Sequence, residues 1–253
     1  MTIDFGLTAD DYARHRAGFP ESFFERLAAQ GIGVAGQALV DLGTGTGTLA
    51  RGFTRRGCLV VGVDPAAPMI DQARQLSERA GMAVEYRLAT AEATGLSAAS
   101  ADVVTAGQCW HWFDGPAAAR EVRRILRPGG AAVVAHFDWI PLAGNVVAAT
   151  EELILRHNPA WRLGGGSGLY PRWLRDLAEA GFRELSTFSY DLFVPYTHED
   201  WRGRIRASAG VGASLPPAQV AAFDAALAAV LAARFPEPLL QVHHRVWAVL
   251  ARR

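Results

Sequence analysis

A chain of 253 residues with 25 basic and 25 acidic side chains, half of it hydrophobic, suits one sizeable core and has no net charge at pH 7. That balance excludes a disordered regulator and argues against a protein that grips nucleic acid through bulk positive charge. Every basic residue is Arg, and without a Lys neither a protein Schiff base nor a P-loop is available.

Two cysteines, Cys58 and Cys109, are too few for a disulfide framework and point to a reducing cytoplasm. The N-terminal stretch MTIDFGLTADDYARHR has no basic segment followed by an apolar one, so no signal peptide is expected. No apolar run approaches the roughly 20 residues of a membrane span, and no membrane association is expected.

Short β-branched runs alternate with helix-like stretches. Ala38 to Leu42 reads as a buried strand, followed by a helix from Leu49 to Arg56. Leu59 to Asp64 is the second strand, with a helix from Pro68 to about Ala80 and Pro in its first turn. Val84 to Leu88, Asp102 to Ala106 and Ala131 to His136 are the next three, with a helix from Pro116 to Leu126 before the last. Near-continuous apolar strands joined by helices predict a doubly wound, Rossmann-like α/β sheet covered on both faces.

After Asp138 the rhythm breaks. Helices are expected over Val146 to His157, Pro171 to Ala180 and Thr197 to Arg206, with a Gly-rich loop at Gly164 to Gly168. Glu184 to Asp191 and Arg245 to Leu250 read as late strands. The Ala-rich Pro216 to Phe235 carries Val220, Phe223, Leu227, Val230 and Leu231 at helical spacing, so it reads as a packed helix. One domain is expected: an N-terminal extension over 1–37, a core over 38–138, an insertion over 139–215 and a closing helix and strand over 216–253.

Between the first strand and the first helix stands Asp41-Leu42-Gly43-Thr44-Gly45-Thr46-Gly47. Its glycines let a ligand approach the backbone, and Asp64, about 20 residues on, can accept both ribose hydroxyls of a nucleoside. A dinucleotide fold wants G-x-G-x-x-G/A, but here the third glycine comes one residue early. Asp41 before it suits a cationic ligand better than a pyrophosphate. It reads either as the acid facing an ammonium or as a carboxylate that orders the loop.

At these residues the chain resembles the class I S-adenosylmethionine-dependent methyltransferases, particularly their small-molecule branch. Val40 to Gly47 matches the first motif, and Gly62-Val63-Asp64-Pro65 with Met69 the ribose-and-adenine segment. Ala91-Glu92 matches the position that meets the adenine edge. Asp102-Val103-Val104 running into Gln108-Cys109-Trp110-His111-Trp112-Phe113 matches the fourth strand and its loop, and Leu126 to Gly130 the turn before the fifth. The resemblance implies S-adenosylmethionine as cofactor, seven strands with the last antiparallel, and cofactor contacts from Gly43, Thr44, Gly45, Gly47 and Gln108. It also implies Tyr12 and Arg16 near the methionine carboxylate; a surface Arg beside Asp10 and Asp11 is the plainer reading of Arg16. Ala17 stands where that branch often has proline.

His111 reads as a general base or as a structural imidazole packed among tryptophans. Cys109 reads as buried filler. Phe19, Trp110, Trp112, Trp139 and Tyr170, together with Phe137, Trp161 and Trp173, are candidates to wall an acceptor pocket, though several must be core. No metal site is expected: His243 and His244 alternate across a strand, and His198-Glu199-Asp200 reads as a helix start capped by Thr197. The Arg-rich run 201–206 reads as a solvated helix face or an anion contact.

The function expected is methyl transfer to O or N of a small molecule, of the kind met in bacterial secondary metabolism, by in-line displacement. The rivals are a non-catalytic S-adenosylmethionine-binding sensor or interaction protein, and more remotely a nicotinamide oxidoreductase. Nucleic-acid methylation is disfavoured, since no Asn-Pro-Pro-aromatic or Asp-Pro-Pro-aromatic sequence follows the fourth strand.

Overall fold

The computed structural model describes residues 18–253. After α1 (Glu21–Ala28), strands and helices alternate: β1 (Ala38–Leu42), α2 (Thr48–Thr54), β2 (Leu59–Asp64), α3 (Ala67–Arg79) and β3 (Glu85–Leu88). Then come β4 (Ala101–Gly107), a 3-10 turn over Trp110–Trp112, α4 (Gly115–Ile125) and β5 (Leu126–Trp139). The rest is α5 (Val146–His157), α6 (Arg172–Glu179), β6 (Arg183–Thr197), α7 (His198–Arg206), α8 (Pro217–Arg234) and β7 (Leu239–Arg252).

The seven strands lie in the order β3-β2-β1-β4-β5-β7-β6. The first five pair parallel, with Val40 opposite both Val61 and Val104. β7 runs against β5: Arg253 pairs with Gly130, whereas Ile140 bonds to His243 further back along the strand. The strand order reverses between β1 and β4. In such sheets ligands bind at the carboxyl ends of the strands, where that reversal opens a crevice.

The chain divides into two compact units. The first holds 18–137, 169–190 and 246–253. Its core joins Val40, Leu42, Val104, Ala106, Val122, Ile125, Trp173 and Trp247. The second holds 138–168 and 191–245 among the described residues, and its core joins Val147, Ile154, Trp201, Phe223, Leu227 and Leu231.

Helix starts follow local chemistry. Asp114, Asn145 and Thr197 accept the N–H groups of Ala117, Ala148 and Asp200, capping α4, α5 and α7. In α8 Phe223, Leu227 and Leu231 are buried, and Val220 and Val230 half-buried. Among the described helices α8 alone is long and apolar enough to cross a membrane by length and composition, which corrects the expectation that no run comes close. Its apolar character is mostly alanine, and its packing stripe belongs to the second core.

The late strands are longer than expected. β6 continues past Asp191 through Pro195, which an edge strand tolerates because its outer row of N–H groups is not part of a ladder with another strand of this sheet. The segment Leu126 to Gly130 is not a turn before β5. Leu126 already pairs with Ala101 and Ala131 with Val103, so residues 127–130 bulge opposite Asp102 alone. Arg127 donates to that carboxylate at 2.6 Å.

Candidate functional site

The predicted cofactor residues in the described chain gather at the carboxyl ends of β1, β2 and β4, all in the first unit. Asp41 is 1% exposed. Its Oδ2 accepts the Thr44 hydroxyl and its Oδ1 the Thr105 hydroxyl, each at 2.7 Å. Burial pushes its pKa up to about 6, against the pull of those two hydroxyls. The loop-ordering reading expected backbone N–H donors; these two bonds come from hydroxyls instead, Thr44 in the loop and Thr105 on β4. Thr105 is a partner that sequence reasoning missed, although a hydroxyl in the otherwise apolar run of β4 was a readable signal.

Asp64, at the tip of β2, is held by the glycine loop itself. Gly45 N–H donates to Oδ2 and Ala66 N–H to Oδ1, each at 2.9 Å. Desolvation raises its pKa while these two donors lower it. An ionised carboxylate has about four acceptor positions, so two backbone donors leave room for ribose hydroxyls. At Gly45, with φ of +55°, a Cβ would meet no atom of the described residues within 4 Å. The loop therefore presents bare backbone to open space.

Around this cradle Met69 is buried in α3 and Pro65 is exposed. Ala91 is buried, and Glu92 accepts the Asp114 N–H at 3.0 Å, which ties the stretch after β3 to the start of α4. Gln108 holds a left-handed backbone, φ +60°, with its N–H on Ala135 O and its side-chain amide donating to Phe137 O. A non-glycine residue in that region marks a strained turn. It swings the chain from β4 into Trp110–Trp112. Cys109 is packed in, its Sγ 3.2 Å from Leu42 O.

Trp110 is 2% exposed and donates from Nε1 to Asp176 Oδ2 at 2.9 Å, an anchor on α6 that the sequence did not disclose. His111 is half-buried, its ring 4.5 Å from Trp112 and 5.3 Å from His136. Trp112 is 45% exposed. Tyr170 stacks on Trp173 with centroids 4.1 Å apart, and His136 lies 4.3 Å from Tyr170. Phe19 packs 4.4 Å from Phe23 and 6.0 Å from Phe137.

Other predicted residues fall elsewhere. Tyr12 and Arg16 lie outside the described residues. Trp139 and Trp161 belong to the second unit, where Trp139 donates to Glu151 at 2.8 Å beneath the Arg204 guanidinium. Burial raises the pKa of Glu151, whose other oxygen takes the Gly165 N–H at 2.7 Å. Arg202 and Arg206 both pair with Asp224 of α8, so this part of the Arg-rich run is an internal network. His198 bonds to the carbonyls of Phe235 and Glu237, His243 to Asp191, and His244 to Val242 O. Among the described residues no group of three His, Cys, Asp or Glu side chains could hold a metal.

Comparison with known proteins agrees with this geometry. Residues 40–134 match the family described as a methyltransferase domain. An uncharacterized methyltransferase of Mycobacterium tuberculosis is 37% identical over 131 residues, 51% of this chain and 50% of that protein. A ubiquinone biosynthesis O-methyltransferase of Nitrobacter winogradskyi is 33% identical over 138 residues, 54% of this chain and 52% of that protein. The chain spans about half the length of the curated relatives it matches. In fold it is similar to a putative type II methyltransferase from Anaeromyxobacter dehalogenans: TM-score 0.62, 24% identity, 94% of this chain and 97% of that one. Residues 40–134 thus match a methyltransferase domain, and the seven-stranded sheet around them has the Rossmann-like fold of that solved structure.

Proposed function

We propose that this protein transfers a methyl group from S-adenosylmethionine to oxygen or nitrogen of a small molecule. One observation carries the reading: the bond from Gly45 N–H to Asp64 joins the glycine loop and the β2 acid into one cradle. The residues present fit the cofactor. Backbone lies bare over Gly45, Asp64 keeps acceptor positions free, and the acid behind the loop suits a cation.

In this reading Asp64, Pro65 and Met69 hold the ribose and the adenine face, and Ala91 and Glu92 the adenine edge. Gly43, Thr44, Gly45 and Gly47 lie along the amino-acid arm with Asp41 behind them, and Gln108 closes the side toward the acceptor. Tyr12 and Arg16 are assigned to the carboxylate end. When bound, the sulfonium supplies a methyl carbon that is already activated. The chain contributes alignment and exclusion of water, effects worth up to roughly 7–11 kcal/mol.

Phe19, Trp112 and Tyr170 are the wall for the acceptor, with Trp110 fixed behind them. His111 is a packed member of that rim. A relative named as an O-methyltransferase supports oxygen as the acceptor atom. Zero net charge supports a small molecule over nucleic acid. Both cysteines are buried, which suits a reducing cytoplasm. Calorimetry tests the reading: S-adenosylhomocysteine should bind and NAD should give no heat. The reverse pattern would sink it.

A further inference from the structure

Behind the glycine loop stands a phenol to which the proposed function gives no task. Tyr86, on β3, is 8% exposed, and its Oη lies 2.8 Å from Ser77 Oγ of α3. A Cβ on Gly47 would fall 2.2 Å from that Oη and 3.0 Å from Arg51 Nη1. A Cβ on Gly62 would fall 2.8 Å from the ring carbons Cδ1 and Cε1. The ring is therefore wedged between the last glycine of the loop and the glycine of β2. Only glycine fits on either side of it.

The hydroxyl also stands in a chain of polar contacts. Arg51, one turn into α2, donates from Nη1 to Thr46 O at 2.6 Å, and that Nη1 and the phenol oxygen both crowd the place a Gly47 Cβ would take. Gly47, with φ of +77°, bonds back to Thr44 O at 2.9 Å. Ser77, Tyr86, Arg51 and Thr46 thus connect α3, β3 and α2 to the far end of the loop. Near its other end the loop is tied to Asp64. A glycine-rich segment has more backbone freedom to lose than any other, so fixing it before a ligand arrives removes a cost that binding would otherwise bear.

We propose that Tyr86 is a positioning residue for the cofactor: its hydroxyl props the end of the glycine loop so that Gly45 stays on Asp64. This rests on the functional reading given above. A purely structural tyrosine would affect stability and leave the affinity of a folded variant alone. A strut under the loop changes affinity and local opening together.

The experiment compares wild type, Tyr86→Phe and Ser77→Ala by calorimetry with S-adenosylhomocysteine, by melting temperature, and by amide exchange. Tyr86→Phe keeps the wedge and removes only the hydroxyl. It should weaken binding roughly fivefold to twentyfold, the scale of one to two lost hydrogen bonds. Exchange at Gly45 and Gly47 should quicken while the amides of β4 and β5 hold. Ser77→Ala should move the same readouts in the same direction by less, and it decides the matter if Tyr86→Phe does not fold. Affinity within twofold of wild type in a folded variant overturns the strut, whatever happens to the melting temperature. A wild type that gives no heat with S-adenosylhomocysteine overturns the functional reading instead.

Discussion

The N–H of Gly45 donates to the carboxylate of Asp64 at 2.9 Å, across 19 residues of sequence. The bond spans the gap between the β1 loop and the tip of β2, so the acid that should receive a ribose is also the anchor of the loop. Loop order and ligand recognition are therefore not separable properties here.

Asp64→Ala should accordingly lose more than a ribose contact. A charged acceptor of hydroxyl hydrogen bonds contributes about 1.5–3 kcal/mol, and the Gly45 and Ala66 N–H groups would also lose their partner. Calorimetry with S-adenosylhomocysteine should show affinity falling at least tenfold. An unchanged affinity in a folded variant would remove Asp64 from the site.

Asp41 predicts a pH dependence of stability. Its folded pKa of about 6 lies above the ordinary value of 3.8 because burial penalises the carboxylate. The native state favours the protonated form, so this contribution is complete below pH 3.8 and is lost as pH rises through about 6. The difference is about 3 kcal/mol. Asp41→Asn cannot ionise, so its urea stability relative to wild type should climb by that order between pH 4 and 6.5. A constant offset across that range would show that ionisation of Asp41 carries no penalty.

His244 works in the opposite direction over the same range. Buried in the second unit with Nδ1 on Val242 O, it has its pKa lowered from 6.5 to about 4 by desolvation. Its contribution is complete above pH 6.5 and is lost as pH falls through about 4, again about 3 kcal/mol. The two slopes oppose each other, so each partly offsets the other in the wild type. His244→Leu should expose the Asp41 slope and raise relative stability under acid, as read by urea titration at pH 4 and pH 7. If the variant's stability relative to wild type is the same at both pH values, His244 is not held neutral.

The first five strands and the position of the glycine loop were legible because their signals are local. Val60 to Val63 is one unbroken apolar run, and Gly43 to Gly47 sits in one stretch ahead of its helix. What escaped was long-range or disguised. Thr105 meets Asp41 from 64 residues away, and nothing near Trp110 announces Asp176 as its anchor. β6 runs on past the expected Asp191 through Pro195, and β7 starts at Leu239, ahead of the expected Arg245. The bond from the Trp139 indole to Glu151 was likewise not readable from the sequence.

His111 separates two accounts of the site. If it took the acceptor's proton, His111→Ala would lower turnover by roughly 10²–10⁴ and leave melting temperature and cofactor affinity near wild type. Its surroundings favour the other account. The ring lies against Trp112 at 4.5 Å, with His136 at 5.3 Å, and the neighbouring Trp110 is pinned to Asp176. Removing the imidazole opens a gap in this rim, and partly buried large-to-small changes of that kind typically cost 1–3 kcal/mol. His111→Ala should therefore melt lower and recover most of its turnover when assayed in the cold, with S-adenosylhomocysteine affinity little changed. A thousandfold loss of turnover at an unchanged melting temperature would make His111 the base after all.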